Sequence, residues 1–298
     1  MPQLMPHTNR TRRLSRTGWS ALLAALFTFT APGAPAQAAT SCTTPAVSNY
    51  HVDSNGKLRR WSNSAPLTGG NAWSQVVISP TWTAARTISG GNGVIFTITE
   101  TGDLVWHHDN KYDGSGEADW DPNSGSVIGT GWSSFTTVVG GGDGVIYAVS
   151  QDGKLYWYRY LGSTGQFSWA NDGRGVQIGA GWNGLRIAAS GNGVLYTVPE
   201  GGQLRWYRHL DPLGGRPGWA NGGLGVTIGS GWGAHTRLAS FGAGVLLARN
   251  STGTMFWYRH LDPVGGAANW ANGGVGLGLG RGWNDSELVA DVTGCRVT

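Results

Sequence analysis

The sequence predicts an all-β protein: a five-bladed β-propeller built from five repeats of about 50 residues. Three observations predict this fold. Each repeat contains two short, aromatic-rich segments separated by a turn, and no helical periodicity is found after residue 38. A tryptophan also recurs at intervals of 50, 50, 50 and 51 residues, at Trp82, Trp132, Trp182, Trp232 and Trp283.

The two aromatic segments form a predicted β-hairpin, which is clearest at residues 144–159, GVIYAVSQDGKLYWYR. Apolar residues run from Val145 to Val149, and Asp152 with Gly153 supplies the turn before the aromatic run resumes at Leu155. A large apolar residue six positions before the turn glycine, and Leu or Met two positions after it, mark five copies. Their turn glycines are Gly56, Gly102, Gly153, Gly202 and Gly253.

Each hairpin is followed by a glycine-rich connector, a short strand ending in a pattern such as IGAGW at 178–182, and another short strand such as 186–189. We assign these four strands to one blade. The first repeat is the most degenerate, with Arg60 where later repeats have tryptophan and Pro80 within the Ile-Gly pattern, so we expect it to serve closure more than binding. A linear solenoid is the alternative, but it would need polar capping repeats.

The only two cysteines, Cys42 and Cys295, stand near the two ends of the predicted propeller. In an oxidising compartment we expect them to pair. A bond between the two ends indicates that the chain closes into a ring. Two free thiols are the alternative.

Residues 1–38 have the pattern of a secretory signal peptide: four arginines, an apolar run at 19–31, and a small-residue site at 36–38. The apolar run is shorter than the roughly 20 residues that a membrane-spanning helix needs. We therefore expect a leader at 1–38, one exported propeller at 39–298, an extracellular location and no membrane insertion.

The apparent basic charge resides in this leader. Of the 21 basic residues, four arginines fall within 1–38, which leaves 17 basic against 17 acidic residues in the predicted propeller. A domain with no net charge lacks the basic surface that is typical of a nucleic-acid-binding protein. The histidines and acids at 107–121 lack calcium-loop spacing because Lys111 occupies the third position. We expect no nucleic acid, no metal, no cofactor and a monomer.

The order of features from about residue 42 to residue 295 resembles the tachylectin family of five-bladed propeller lectins. The resemblance is carried by the hairpin GVLYTVPEGGQLRWYRH at 193–209, the loop residue Trp219 and the strand VTIGSGW at 226–232. It implies a multivalent lectin that binds N-acetylhexosamines, above all N-acetylglucosamine, in equivalent sites. The sequence departs from the family pattern beside the loop tryptophan: of the asparagines before it only Asn269 is kept, and no arginine follows three positions later.

The candidate sugar sites lie in the long connectors. An indole suits the apolar face of a sugar ring, and an asparagine two residues later offers both a hydrogen-bond donor and an acceptor. Tyrosine and arginine at the end of the preceding strand are expected in the same pocket. The candidates are Trp120, Trp169, Asn171, Trp219, Asn221, Trp270, Asn272, Tyr158, Tyr207, Tyr258, Arg159, Arg208 and Arg259.

Structural roles are the alternative for each of these residues. Asparagine is a common turn former, and a solvated strand end explains the tyrosines and arginines equally well. We favour core packing for two other tryptophan series, because propeller blades pack face to face. These are Trp132, Trp182, Trp232 and Trp283, and Trp106, Trp157, Trp206 and Trp257.

Near-identical repeats favour equivalent binding sites over one asymmetric catalytic centre. A glycosidase needs two carboxylates in different environments, whereas the acids here fall mainly in turns and loops, so we expect no enzyme. A protein-interaction scaffold is the main alternative function. The similarity of the connectors at 168–175, 218–225 and 269–276 favours the lectin.

Overall fold

The computed structural model describes residues 39–284 and 287–298, and the predicted leader at 1–38 lies outside them. Within these residues, five four-stranded antiparallel sheets and one two-stranded sheet account for the 22 strands. The five-bladed β-propeller predicted from the sequence is confirmed. None of the helices in this part of the chain has the length and hydrophobicity of a membrane span.

The strands in chain order are β1 (Thr40–Cys42), β2 (Val47–Val52), β3 (Leu58–Asn63), β4 (Trp73–Ser79), β5 (Arg86–Gly91), β6 (Val94–Ile98), β7 (Leu104–His108), β8 (Ser126–Gly129), β9 (Phe135–Gly142), β10 (Val145–Ser150), β11 (Leu155–Arg159), β12 (Val176–Gly179), β13 (Arg186–Ala189), β14 (Val194–Val198), β15 (Leu204–Arg208), β16 (Val226–Gly229), β17 (His235–Gly242), β18 (Val245–Asn250), β19 (Met255–Arg259), β20 (Leu277–Gly278), β21 (Val289–Ala290) and β22 (Cys295–Val297). Short 3-10 helices span Trp132–Ser134, Ala170–Gly173, Trp232–Ala234, Ala220–Gly223 and Ala271–Gly274.

The blades are offset from the repeats assigned in the sequence. Blade 2 is β5–β8, blade 3 is β9–β12, blade 4 is β13–β16 and blade 5 is β17–β20. The short strand after each Gly-Trp pair therefore begins the next blade, which corrects our assignment of 186–189 to the end of its repeat. The reason is pairing: β13 bonds to the hairpin that follows it, with Ala188 opposite Tyr196.

Blade 1 joins the two ends of the chain. Its innermost strand, β21, comes from the C-terminal end and pairs with β2, which is followed by β3 and β4. Beside it, β1 pairs with β22 so that Cys42 lies opposite Cys295, and the two cysteines are bonded. The predicted disulfide is confirmed, and the first repeat does take part in ring closure.

The strand tryptophans pack between adjacent blades, as predicted. Trp106, Trp157, Trp206 and Trp257 are buried. The indole Nε1 of Trp157 donates to the Pro212 carbonyl of the next blade at 2.8 Å. Gly215 of that loop, with φ +72°, lies so close that a Cβ there would be 2.3 Å from the Trp157 ring. A glycine loop laid on a tryptophan thus forms the junction between blades 3 and 4, and it recurs at the junctions of blade 5 with blades 4 and 1.

The junction between blades 1 and 2 has a buried ion pair instead. Arg60 occupies the position of the strand tryptophan, and its Nη1 donates to Asp109 Oδ1 at 2.7 Å, both side chains being 1% exposed. The same guanidinium donates to the Gly116 carbonyl, and Tyr50 donates to Asp109 Oδ2 at 3.2 Å. The carboxylate and both terminal nitrogens of the guanidinium are therefore hydrogen-bonded, as a buried charge requires, whereas Arg60 Nε has no partner in the described part of the chain.

Candidate functional site

Four equivalent clefts lie between neighbouring blades, each containing one of the loop tryptophans predicted from the sequence. The loop is fixed beside the strand that precedes it, since Trp169 forms an isolated β-bridge with Tyr160. Its indole Nε1 then donates to a carbonyl of the preceding blade, at 2.6–2.8 Å in all four clefts. The pairs are Trp120 with Ile78, Trp169 with Ile128, Trp219 with Ile178, and Trp270 with Ile228.

Three aromatic rings meet in each of these clefts. The tryptophan of the Gly-Trp pair, which in the first repeat is Trp82 after Thr81, lies 4.4–4.9 Å, between ring centroids, from a side chain of the third strand of the blade. It lies 5.4–6.0 Å from the loop tryptophan. The four triads are Trp82, His107 and Trp120; Trp132, Tyr158 and Trp169; Trp182, Tyr207 and Trp219; and Trp232, Tyr258 and Trp270.

The triads bring the predicted loop tryptophans together with the predicted tyrosines. Burial raises the pKa values of Tyr158 and Tyr258, so both phenols are neutral hydrogen-bonding groups at pH 7. The loop tryptophans are half-buried, whereas Trp132, Trp182 and Trp232 are buried, which confirms core packing for that series. Three of the clefts thus have a buried indole at the back, whereas Trp82 at the back of the cleft between blades 1 and 2 is half-buried. All four have a half-buried, hydrogen-bonded indole at the side.

The predicted arginines lie elsewhere. Successive residues of a strand point to opposite faces of a sheet, so Arg159 points away from the cleft that holds Tyr158. Its Nη1 donates to the Leu213 carbonyl in the next blade at 2.9 Å. Arg208 and Arg259 donate in the same way to the carbonyls of Val264 and Leu67. The expectation that these arginines share a pocket with the tyrosines is wrong.

The predicted asparagines occupy exposed turns beside the loop tryptophans. Asn171, Asn221 and Asn272 all have φ +52°, a left-handed conformation that asparagine tolerates better than most residues. Their carbonyls accept hydrogen bonds from the amide three residues later, and Asn171 Nδ2 also donates to the Arg174 carbonyl at 2.9 Å. These contacts give the asparagines a turn-forming role, and their binding role stays a prediction.

The clefts differ at a position outside the predicted site residues. Three residues after the Gly-Trp tryptophan stand Ala85, Phe135, Leu185 and His235. Phe135 contacts Tyr158 at 5.9 Å between ring centroids, and His235 Nε2 lies 3.0 Å from the Tyr258 hydroxyl. The cleft between blades 1 and 2, in the repeat that has Ala85 at this position, has a volume of about 640 Å³ against about 350 Å³ for the cleft between blades 2 and 3. Counting three positions from each tryptophan would have found this variation.

A fifth aromatic cleft lies between blades 5 and 1. Trp283 lies 4.6 Å from Trp61 and 5.6 Å from Trp73, between ring centroids. The degenerate first repeat predicts closure more than binding, and neither Trp61 nor Trp73 is among the predicted site residues. Trp61 follows Leu58 by three residues, as Tyr158 follows Leu155, so counting from the leucine would have identified it.

No group of three or more histidine, cysteine or acidic side chains that would hold a metal occurs among residues 39–284 and 287–298. The widest cleft does contain an ionisable ring, His107, whose Nε2 lies 3.2 Å from Thr97 Oγ1. Burial lowers the pKa of His107 to about 4. The triad of this cleft is therefore uncharged at pH 7.

We expect His107 to make the fold sensitive to mild acid. Because the unfolded chain binds this proton near pH 6.5 and the folded protein only near pH 4, stability is full above pH 6.5 and falls as the pH drops to about 4. His107→Tyr, which restores the residue of the other triads, should abolish up to about 3 kcal/mol of this loss. Urea unfolding of both proteins at several pH values measures it, and parallel pH profiles would contradict it.

Comparison with known proteins gives one family match. The sequence profile of the Tachylectin family matches residues 50–288, which include all the loop tryptophans and four complete triads. No curated protein sequence matches the chain significantly.

Solved structures resemble the chain only distantly. The fucose-specific lectin from Aleuria aurantia is 17% identical with a TM-score of 0.41, over 86% of this chain and 82% of that one. Prp20p from Saccharomyces cerevisiae is 13% identical with a TM-score of 0.39, over 76% of this chain. The match spans 60% of Prp20p, and 53% of yeast RCC1 in the complex with Kap60. Structural similarity at this level does not indicate which ligand this chain binds.

Proposed function

This chain belongs to the Tachylectin family, a family of carbohydrate-binding lectins, and from that membership we propose that it is a secreted, multivalent lectin for glycans containing N-acetylhexosamines. Its sites are the aromatic clefts between blades 1 and 2, 2 and 3, 3 and 4, and 4 and 5. The activity is binding alone, with no catalytic step.

The observation that carries the proposal is the repeated, hydrogen-bonded loop tryptophan. The bond from Trp219 Nε1 to the Ile178 carbonyl, 2.6 Å long, holds the indole in place before any ligand arrives. A fixed ring loses little conformational entropy on binding, which favours affinity. A sugar ring can lie with its C–H face against such an indole, while its hydroxyls meet the tyrosine and the exposed loop.

The acetamido group is the proposed basis of sugar selectivity. Its carbonyl needs a donor, and the glycine-rich turns after Trp219 and Trp270 offer backbone amides without side-chain obstruction. Gly222 and Gly273 have positive φ, and a Cβ at either would meet no atom within 4 Å. The approach of a ligand to this backbone is therefore open in blades 4 and 5.

Multivalency supplies useful avidity. Each cleft is shallow and one sugar ring is small, so each site is expected to bind with a dissociation constant around millimolar. Sites carried on one rigid ring then act together on a polysaccharide or a glycan-bearing surface, with a gain of about 10²–10⁴. An exported monomer with four equivalent clefts has the geometry for this without forming an oligomer.

The double variant Trp219→Ala/Trp270→Ala tests the proposal. We expect its retention on immobilised chitin oligomers or N-acetylgalactosamine-terminated glycans to fall by about 10²-fold, because two of the four platforms are lost. Surface plasmon resonance on a glycan surface measures retention, and near-UV circular dichroism checks the fold.

The matched control is Leu224→Ala/Val275→Ala, which truncates exposed side chains in the same two loops. It should bind as the unchanged protein does. Equal retention of the tryptophan variant and the control would contradict the platform role. If the folded, unchanged protein binds no glycan at all, a protein-interaction scaffold becomes the better account.

A further inference from the structure

The cleft between blades 5 and 1, here named the closure cleft, differs chemically from the four repeated clefts. It has a volume of about 400 Å³ and is lined by Arg59, Trp61, Gln75, Leu279, Arg281, Gly282 and Trp283. It keeps the aromatic base, since Trp61 and Trp283 are in ring contact. No acidic side chain is among these lining residues, and two arginines are.

The arginines lie on opposite sides of the closure cleft. Arg59, on blade 1, is oriented by Asp53, whose Oδ2 accepts from Nε at 3.0 Å, and by Gln75, whose Oε1 accepts from Nη1 at 3.3 Å. Arg281 enters from the Gly-Trp turn after blade 5 and is exposed. It belongs to no salt bridge within the described part of the chain. The Arg59 guanidinium is thus held in place, whereas the Arg281 guanidinium can pair with the negative charge of a ligand.

Arg281 is peculiar to this cleft. The residue two positions before the Gly-Trp tryptophan is Thr130, Ala180 or Ser230 in the later repeats and Pro80 in the first. A positive charge therefore appears at this position only where blade 5 meets blade 1. Asp53 offsets the charge of Arg59, so among the residues that line the closure cleft Arg281 is the one whose positive charge is not offset by a described acidic side chain.

The aromatic base of the closure cleft also carries hydrogen-bond donors without acceptors. The loop tryptophans of the other clefts all donate to an isoleucine carbonyl. Trp61 Nε1 in this base is buried and has no partner among residues 39–284 and 287–298, and the same holds for Nε1 of Trp73, which packs against Trp283 without lining the cleft. Unpaired N–H dipoles in a place of low dielectric favour negative charge nearby. These indole N–H groups add to the positive potential of the two guanidinium groups.

We propose that the closure cleft binds an acidic saccharide unit, one that carries a carboxylate or a sulfate. The sugar ring lies on Trp61 and Trp283, and its anionic group accepts hydrogen bonds from Arg281 and Arg59. Guanidinium groups suit this role because they present paired N–H donors to carboxylate and sulfate oxygens. The proposal extends the proposed function, since both assume sugar recognition in aromatic clefts, but it involves different residues and a different ligand class.

Arg281→Gln tests the inference, with Arg174→Gln as the matched control: Arg174 is an exposed arginine on a blade 3 loop, outside the closure cleft. The probes are two matched pairs, trigalacturonate with its carboxyl-reduced form, and N-acetylglucosamine 6-sulfate with N-acetylglucosamine. Affinities are measured by isothermal titration at low and at physiological ionic strength.

We expect the unchanged protein to bind at least one acidic probe more tightly than its neutral counterpart. Arg281→Gln should lower the affinity for that acidic probe about tenfold. The preference should diminish with salt. Comparison of the carboxylate probe pair with the sulfate probe pair shows which anionic group the closure cleft recognises. Equal affinities within both pairs, or an equal loss in Arg174→Gln, would overturn the proposal.

Failure of the two proposals can be told apart. Trp219→Ala/Trp270→Ala should reduce binding of neutral amino sugars and leave the acidic preference intact, because those tryptophans lie in other clefts. If only the binding of neutral amino sugars is absent, the proposed function is contradicted. If only the preference for acidic probes is absent, the proposal for the closure cleft is contradicted. A crystal structure with the preferred acidic probe should place its anionic group beside Arg281, and any other location would count against the inference.

Discussion

Replacing Cys42 and Cys295 by alanine is expected to lower the free energy of unfolding by about 5 kcal/mol. The bonded residues are 253 positions apart, so the crosslink removes much of the conformational freedom of the unfolded chain. It also joins β1 to β22 beside the two-residue strand β21, the shortest inner strand of the ring. Without the bond, closure depends on few backbone hydrogen bonds.

Urea unfolding with and without a reductant provides the measurement. The unchanged protein should lose stability when reduced, and the alanine double variant should respond to reductant hardly at all. If the reduced, unchanged protein keeps its unfolding free energy to within about 1 kcal/mol, packing of blade 1 rather than the crosslink maintains closure. A fall in cooperativity on reduction would show that blade 1 opens before the rest.

Replacing Arg60 by alanine is expected to lower the free energy of unfolding by about 3–5 kcal/mol, because it leaves Asp109 buried without its counter-charge. Asp109 is 1% exposed and otherwise accepts from the Tyr50 hydroxyl at 3.2 Å and from the Lys111 backbone N–H at 3.0 Å, two neutral donors that do not balance the charge of a carboxylate. The junction between blades 1 and 2 should therefore separate first when this variant is denatured.

The neighbouring Arg59 is the matched control. Its ion pair with Asp53 is partly exposed, and exposed pairs contribute little to stability because solvent screens them. Arg59→Ala should thus cost much less than Arg60→Ala. The double variant Arg60→Met/Asp109→Leu removes both charges and should recover most of the lost stability. A cost below about 1 kcal/mol for Arg60→Ala would show that water reaches Asp109.

Much of the fold follows from local patterns in the sequence. The tryptophan period fixes the number of blades, the hairpin pattern identifies their two middle strands, and the positions of the cysteines predict a closed ring. The offset between repeat and blade is not visible in this pattern, since 186–189 is equally close in the chain to both sheets. Pairing of Ala188 with Tyr196 decides it.

The candidate site was partly predictable. A loop tryptophan such as Trp169 stands out because it recurs among glycines, but its partner, the Ile128 carbonyl, lies 41 positions earlier in another blade. Adjacent candidates were harder to separate. Tyr158 and Arg159 look equivalent as neighbours in sequence, although the alternation of side chains along β11 sends them to opposite faces.

By itself, the sequence determined the all-β class, the five repeats, the disulfide pairing and the aromatic residues in the connectors. These features depend on residues within one repeat or on the two cysteines alone. Only the tertiary structure decided what each junction contains: three aromatic rings at four of them, a closure cleft lined by two arginines at the fifth, and the burial of Arg60 against Asp109. The physical reason is that every junction combines side chains from two repeats, so its chemistry depends on contacts between residues that no local pattern connects.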